Sequence, residues 1–219
     1  MPKQIPSVLK KCIEEHQLWL ESLGEQGTRA VLRGFDLSDL NLQGFNLKGA
    51  DLQGADMTKA QLRAADLTGA DLSNSILEHA GLQWTNLAGT DMSGVRMTGA
   101  RLQFTNFSGA LLTSASFANA RMHNTWFWRC VCQQTDFTRA CFHFASFASA
   151  LLQQARFEGA VFRHTEFDDA NLEACNFSNA SLVLCTMTGA RFKRCYFSGA
   201  HLDKDYLPAS NRSDSSAQN

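Results

Sequence analysis

Three histidines are the residues of this chain with a spacing that could support metal chemistry. His123, His143 and His164 recur at intervals of 20 and 21 residues. They could hold a zinc ion if the fold brought them together, because imidazole nitrogens are common zinc ligands. No fourth ligand and no supporting carboxylate accompanies them in the sequence, so we predict that this chain has no metal site.

A cluster of acidic side chains is the second candidate for chemistry. It comprises Glu166, Asp168, Asp169 and Glu173. Two carboxylates at a suitable distance could act as general acid and base, but a solvated corner of the surface is the simpler interpretation. The chain also has no glycine-rich phosphate loop, no nucleophile elbow and no paired-cysteine metal signature. We therefore predict no enzymatic activity and no cofactor.

The element that must position all of these side chains is a repeat of five residues. From Leu32 to Leu202, the residues whose numbers end in 2 or 7 are Leu, Met or Phe at 34 of 35 positions; Cys132 is the exception. Two residues before most of these centres stands a small residue, which is Ala in 20 cases. On a helix the centres would spiral around the surface, and on a strand they would alternate between faces. The chain must therefore turn a corner in every repeat, as a solenoid does.

The repeat resembles a known family. The run from Gly49 to Met57, Gly-Ala-Asp-Leu-Gln-Gly-Ala-Asp-Met, is similar to the A(D/N)LxG motif of pentapeptide-repeat proteins. The resemblance implies an all-β solenoid, a right-handed four-sided parallel β-helix with four repeats per coil. At 20 residues per coil the chain would form about nine coils and a rod about 40 Å long.

The chain divides into three predicted segments. Residues 1–29 form an N-terminal segment with a cap helix. We expect residues 1–6 to be frayed, Ser7 to be the N-cap and Gly24 to end the helix. Apolar residues and His16 recur at helical spacing from Val8 onward. In the first coil the large residues Phe35, Leu40 and Phe45 take the inward positions, and we expect them to pack against the cap. The stretch 16–30 resembles the cap heads of bacterial pentapeptide-repeat proteins. Residues 30–207 form the β-helix, and the polar composition of 208–219 predicts a disordered tail. Because no C-terminal cap helix is evident, we expect this end of the solenoid to form a homodimer.

Charge and cysteine content narrow the classes of function. Between Ala30 and Leu202 there are 14 Lys and Arg and 14 Asp and Glu, so the repeats carry no net charge. This balance argues against direct nucleic-acid binding. No segment resembles a signal peptide or a membrane span, so we expect a cytoplasmic protein that does not bind membranes. We expect all seven cysteines to be reduced thiols. Five of them stand at inward or central positions and should pack as small apolar residues: Cys130, Cys132, Cys175, Cys185 and Cys195.

Given four repeats per coil, one outer side of the solenoid collects large apolar residues. The last outward position of successive coils reads Gly44, Ala64, Trp84, Phe104, Asn124, Phe144, His164, Leu184. Around this series lie basic residues and two further tryptophans: Arg121, His123, His143, Arg163, Trp126, Trp128 and Arg129. Aromatic and Arg enrichment with few carboxylates is typical of binding hot spots. We predict that this side binds a protein partner; the alternative is that the rings only stack and stiffen the rod.

The resemblance implies a second function. Some pentapeptide-repeat proteins of similar length are acidic, dimeric DNA mimics that bind DNA gyrase and protect it from inhibitors. In this chain a mimic would be confined to the column Asp51, Asp71 and Asp91. Duplex DNA carries one charge per about 1.7 Å, so a 40 Å mimic would present on the order of 20 negative charges. The neutral repeats depart from that pattern, and we rank the interaction scaffold first.

Overall fold

The computed structural model describes residue 3 and residues 5–203. It contains one helix, α1 (Ser7–Glu21), and five short strands in one parallel sheet. The strands are β1 (Arg121–His123), β2 (Cys141–His143), β3 (Val161–Arg163), β4 (Ser181–Val183) and β5 (His201–Leu202). The predicted tail 208–219 lies outside the described residues.

Successive coils are joined 20 residues apart. Each strand pairs in parallel with the next, as in the register of Arg121 with Cys141 and of Cys141 with Val161. Isolated bridges continue the same 20-residue step over the other three faces, beginning with Val31 to Asp51. Four repeats therefore complete one coil, and the fold is the right-handed, four-sided parallel β-helix that the repeat predicts.

A turn at every repeat makes the corners. The N–H of Ala50 donates a hydrogen bond to the carbonyl of Leu47 at 3.0 Å, and Gly49 between them has a φ of 64°. A positive φ at the third residue is the requirement of a type II turn. It explains why Gly recurs at this position, although other residues also adopt the left-handed conformation here.

The interior is filled as the five-residue period predicts. All central side chains from Leu32 to Leu182 are buried, and the rings of the second half stack from coil to coil. Phe142 and Phe162, for example, lie parallel with their centroids 4.7 Å apart. Cys132 is buried where the rings of Phe137, Phe142 and Phe147 meet one another at 5.2–5.7 Å.

Some of the small residues at the inward positions also form hydrogen bonds between coils. The Thr125 hydroxyl donates to the carbonyl of Leu102 at 2.8 Å, and the Cys130 thiol donates in the same way to Phe107 at 2.8 Å. Cys175 and Cys195 make the equivalent bond. All seven cysteines are free thiols, as predicted, but these three also satisfy a backbone acceptor in the neighbouring coil.

The cap helix differs from the prediction at its start. Pro6 occupies the N-cap position and no side chain caps the helix, so Ser7 is the first helical residue rather than its cap. Gly24 does lie beyond the helix end, where its N–H donates to the carbonyl of Trp19 at 2.8 Å. Leu9 and His16 are buried, whereas Val8, which shares the helical pattern, is 72% exposed.

The first coil also corrects two expectations. We expected Phe35, Leu40 and Phe45 to pack against the cap, but Phe35 is exposed while Leu40 is buried and Phe45 partly so. We expected residues 1–6 to fray, yet the N–H of Lys3 donates to the carbonyl of Asp39 at 3.0 Å. The homodimer through the C-terminal end stays a prediction, since the residues that follow Asp203 lie outside the described part.

Candidate interaction surface

One face of the solenoid carries most of the predicted binding residues. We call it the aromatic face; it consists of residues 40–44 and of the same five positions in each later coil, up to 180–184. Seven predicted residues lie on it: Trp84, Phe104, Arg121, His123, His143, Phe144 and Arg163. The strands β1 to β4 form its second half.

Aromatic rings on this face stack along the rod. The rings of Trp84 and Phe104 are 4.0 Å apart between centroids and inclined by 7°. Phe144 and His164 stack at 4.8 Å and 3°. The side chains of Trp84 and Phe144 are nevertheless 54% and 55% exposed. Because the partners are one coil apart, the rings stack along the rod axis and point their edges outward.

These rings stand at backbone positions that disfavour them. Trp84, Phe104 and Phe144 have φ values of 64°, 58° and 53°, in the left-handed region, and so does Leu184 at 53°. For a bulky residue this conformation costs on the order of 1 kcal/mol. Among the described coils, these four are the only large apolar residues in left-handed positions, and all four belong to the aromatic face.

The charge on the aromatic face has one sign. Four exposed arginines lie on it: Arg63, Arg101, Arg121 and Arg163. None of the 14 Asp and Glu between Ala30 and Leu202 does. The ion pairs found in the described part of the chain involve none of these four arginines. In the next coil the same register continues with Asp203, whose carboxylate accepts a hydrogen bond from the N–H of Leu184 at 3.3 Å.

The histidines of this face form a cluster. The rings of His123 and His143 are 4.4 Å apart between centroids and inclined by 52°. Burial lowers the pKa of His143, and the neighbouring charges of His123, Arg163 and His164 lower it further. The described residues contain no group of His, Cys, Asp and Glu able to hold a metal. The positive charge around this cluster therefore comes from the neighbouring arginines, Arg121 and Arg163.

Three predicted residues lie around a corner from the others. Trp126, Trp128 and Arg129 belong to the neighbouring face, where both tryptophans are exposed. The guanidinium of Arg129 lies 4.2 Å from the centre of the Trp128 ring, a cation–π contact within that face. Trp126 follows Asn124 across the corner, so a partner on the aromatic face could reach Trp126 more easily than Trp128.

The aspartates Asp51, Asp71 and Asp91 do lie above one another in successive coils, but other groups of the chain contact their carboxylates. Asp51 pairs with Asp71, and Asp71 with Asp91, through backbone bridges. The carboxylate of Asp51 is buried and lies 2.6 Å from Nε of Arg33. One carboxylate oxygen of Asp71 accepts from both the N–H and the hydroxyl of Ser73. These contacts occupy the acceptors that a DNA mimic would present.

The acidic cluster near residue 168 also has structural partners. The carboxylate of Asp168 accepts from the Thr186 hydroxyl at 2.9 Å and from the N–H of Thr188 at 2.7 Å. Both bonds join one coil to the next. The carboxylate therefore acts as a link in the coil stack.

Arg63 also belongs to this surface, although it was not among the residues predicted from the sequence. It precedes Arg163 by 100 residues, which is five coils, and therefore has the same position in its coil.

The role of His16 was not predicted either. That ring is buried beneath the first coil, where Nδ1 accepts a hydrogen bond from the N–H of Ala30 at 3.1 Å. The helical pattern had marked His16 only as part of an apolar face.

The fold and the surface define a class of protein: a β-helical rod with a basic, aromatic face. The family model "Pentapeptide repeats" matches it with eight copies, over residues 28–63, 36–74, 75–113, 115–152, 140–179 and 165–203. The chain belongs to the pentapeptide-repeat family. No curated protein sequence matches it significantly.

Solved structures of this family are similar to the chain. A trypsin-treated variant of QnrB1, a plasmid-mediated fluoroquinolone resistance protein, matches at 20% identity and a TM-score of 0.61, covering 81% of this chain and 88% of that one. HetL from Nostoc sp. strain PCC 7120, a protein involved in heterocyst differentiation regulation, matches at 22% identity and a TM-score of 0.31, covering 84% and 94%. The QnrB1 likeness supports the fold.

The part of the chain that the structure describes contains no helix long and apolar enough to cross a lipid bilayer.

Proposed function

We propose that this protein is a non-catalytic interaction scaffold that binds a protein partner through the aromatic face. The observation that carries the proposal is the clustering of Trp84, Phe104, Phe144 and Leu184 on one face, each in a left-handed position. Glycine fills this position in many other repeats of the same chain, such as Gly44 and Gly89. Large apolar residues here add backbone strain and no core packing.

The surface has the composition of a binding hot spot. Aromatic rings and arginines dominate hot spots because they bury much area while losing little conformational freedom. Trp84 and Phe104 are already ordered by stacking on each other, so binding would cost little side-chain entropy. A contiguous exposed apolar patch of this kind marks an interaction site more often than scattered single residues do.

Glycine substitutions separate binding from stability. Trp84→Gly with Phe104→Gly removes the stack, worth about 0.5–1.5 kcal/mol, and relieves backbone strain on the order of 1 kcal/mol per residue. The greater chain entropy of glycine in the unfolded state offsets about 0.5–1 kcal/mol of that relief per residue. The melting temperature should therefore change little. Leu111→Ser serves as a control, because Leu111 is also exposed and apolar but lies on another face.

The measurement has two stages. Proteins retained by the immobilised wild type from host lysate are identified by quantitative mass spectrometry, and each is then titrated against the purified variants by calorimetry. The double variant should lose about 2 kcal/mol or more of binding free energy, and Leu111→Ser should bind normally. A melting temperature that falls by several degrees while every partner still binds would show that the stack only stiffens the rod.

The alternative function is that of a DNA-mimicking protein that binds DNA gyrase. The observation in its favour is that Asp51, Asp71 and Asp91 form a continuous column on one face. Its test is inhibition of gyrase supercoiling and protection of gyrase from fluoroquinolones at sub-micromolar protein. Under the scaffold proposal neither effect occurs. If protection does occur, Asp71→Lys with Asp91→Lys should abolish it, and the alternative replaces the scaffold.

A further inference from the structure

We infer that the partner of the aromatic face is an acidic protein segment, and that His143 takes up a proton when this segment binds. This inference rests on the proposed function and adds the chemistry of the partner to it. Its basis is the absence of carboxylates from the eight coils between residues 40–44 and 180–184 of the face, together with four arginines and three histidines along the same five-position register. Asp203, in the next coil, is the one carboxylate in this register among the described residues.

The charged groups between residues 40–44 and 180–184 of the face suit a negative partner. Arg101, Arg121 and Arg163 have no ion-pair partner among the described residues, so an incoming carboxylate would not have to displace one. The stacked rings contribute as well, because the edge of an aromatic ring carries partial positive charge while its face carries partial negative charge. In the Trp84–Phe104 stack the facing π-surfaces cover each other and the edges are outermost.

The same geometry favours a protein over a nucleic acid. Bases bind aromatic side chains by stacking on open ring faces. Rings 4.0 Å apart leave no gap between them for a base, so only the outer face of each ring in the pair could accept one. Duplex DNA also presents one charge per about 1.7 Å, whereas this face offers four arginines among apolar side chains. An acidic segment with interspersed apolar residues matches that mixture.

Proton uptake follows from the neighbours of His143. Arg163 and His123 flank it in the adjacent coils, Arg121 lies two residues from His123, His164 is close by, and the uncharged thiol of Cys141 is exposed on the same strand. Across the corner from His164 lies Glu166, the nearest carboxylate in sequence. In the free protein burial and the surrounding positive charges oppose protonation of His143. A carboxylate partner counteracts those charges, so His143 binds a proton as the complex forms.

The test uses labelled poly-L-glutamate as the probe, with single-stranded and duplex DNA of 20 nucleotides and 20 base pairs as competing classes. Affinities are measured by fluorescence anisotropy at pH 7.5 and pH 6.0 in low salt. Poly-L-glutamate should bind more tightly at pH 6.0, by up to about tenfold if the pKa of His143 rises by about one unit on binding. Calorimetry in two buffers of different ionisation enthalpy should report proton uptake at pH 6.5.

Matched variants locate the effect. Arg121→Ala with Arg163→Ala should weaken binding about tenfold or more, whereas Arg156→Ala with Arg191→Ala, exposed arginines on other faces, should not. His123→Gln with His143→Gln should keep the affinity at pH 7.5 and lose most of the gain at pH 6.0. Tighter binding of either DNA than of poly-L-glutamate, equal effects of both arginine pairs, or pH-independent binding would each overturn the inference.

The glycine variants test the proposed function, whereas the arginine and histidine variants test this inference, so either can fail without the other. If Trp84→Gly with Phe104→Gly leaves all partners bound but the arginine and histidine variants behave as stated, the hot-spot proposal fails and the charge inference stands. If the glycine variants abolish partner binding while the charge variants have no effect, the scaffold stands and its partner is not acidic.

Discussion

The ring of His16 accepts a hydrogen bond from the N–H of Ala30, the first residue of the first coil, at 3.1 Å. The same ring stacks on Trp19 with 5.6 Å between centroids. No hydrogen-bond partner is found for Nε2 of His16. Burial lowers the pKa of this histidine, and the positive charge of Arg29 lowers it further. The cap is thus joined to the rod through a neutral imidazole.

Acid should therefore loosen the cap. Because the pKa of His16 is lower in the folded state than in the unfolded state, its contribution to stability is complete above about pH 6.5 and is lost as the pH falls below that value. Denaturant unfolding at pH 7.5 and pH 5.5 should show a smaller pH effect for His16→Asn, whose amide oxygen can still accept from Ala30. His79→Asn, at an exposed histidine on the rod, should keep the full effect. An identical pH effect in both variants would contradict the role of His16.

Two glycines should respond differently to alanine. At Gly27, with φ at 69°, a Cβ would overlap the carbonyl oxygen of Glu15 and lie 2.8 Å from Cβ of Leu18. At Gly44, with φ at 70°, nothing lies within 4 Å of a Cβ, and Ala64 already occupies the same position in the next coil. Gly44→Ala should cost about 1 kcal/mol of unfolding free energy from backbone strain alone. Gly27→Ala should cost clearly more, and equal melting temperatures would refute the close packing of the cap loop.

The small centre Cys132 should not accept a ring. The three surrounding phenylalanines already contact one another, so Cys132→Phe should overpack the coil and cost about 1–3 kcal/mol. Cys132→Ala should cost less, since it removes only a sulfur atom. The melting temperatures of the two variants provide the measurement. If Cys132→Phe melts at or above the melting temperature of the wild type, the coil can hold a fourth ring and the overpacking argument is wrong.

Removing the cap should expose the first coil. Leu9 and His16 cover apolar residues of that coil, so deletion of residues 1–24 should leave an apolar end and unpaired strand edges that associate. Size-exclusion chromatography with light scattering should find aggregates in place of the wild-type species. A truncated protein that elutes as a monomer and melts like the wild type would show that the helix is dispensable.

The sequence predicted the architecture well because the five-residue period is itself the geometry of the fold. Once four repeats complete a coil, the residue number alone places Trp84 over Phe104 and His123 over His143. It could not predict what depends on three-dimensional detail at the ends, such as the exposure of Phe35 or the acceptor role of His16. It also could not predict that Asp51 is buried against Arg33, because that contact joins neighbouring coils through long side chains.

The 20-residue step has a consequence for how the chain reaches its folded state. Each coil needs only the coil immediately before it as a template, and the backbone bridges of the rod join residues 20 positions apart. Such local pairing lowers the entropy of loop closure and speeds folding. Because the cap precedes the first coil in the chain, it is available during synthesis before any coil emerges, and the rod can then grow from it in one direction while the ribosome is still translating.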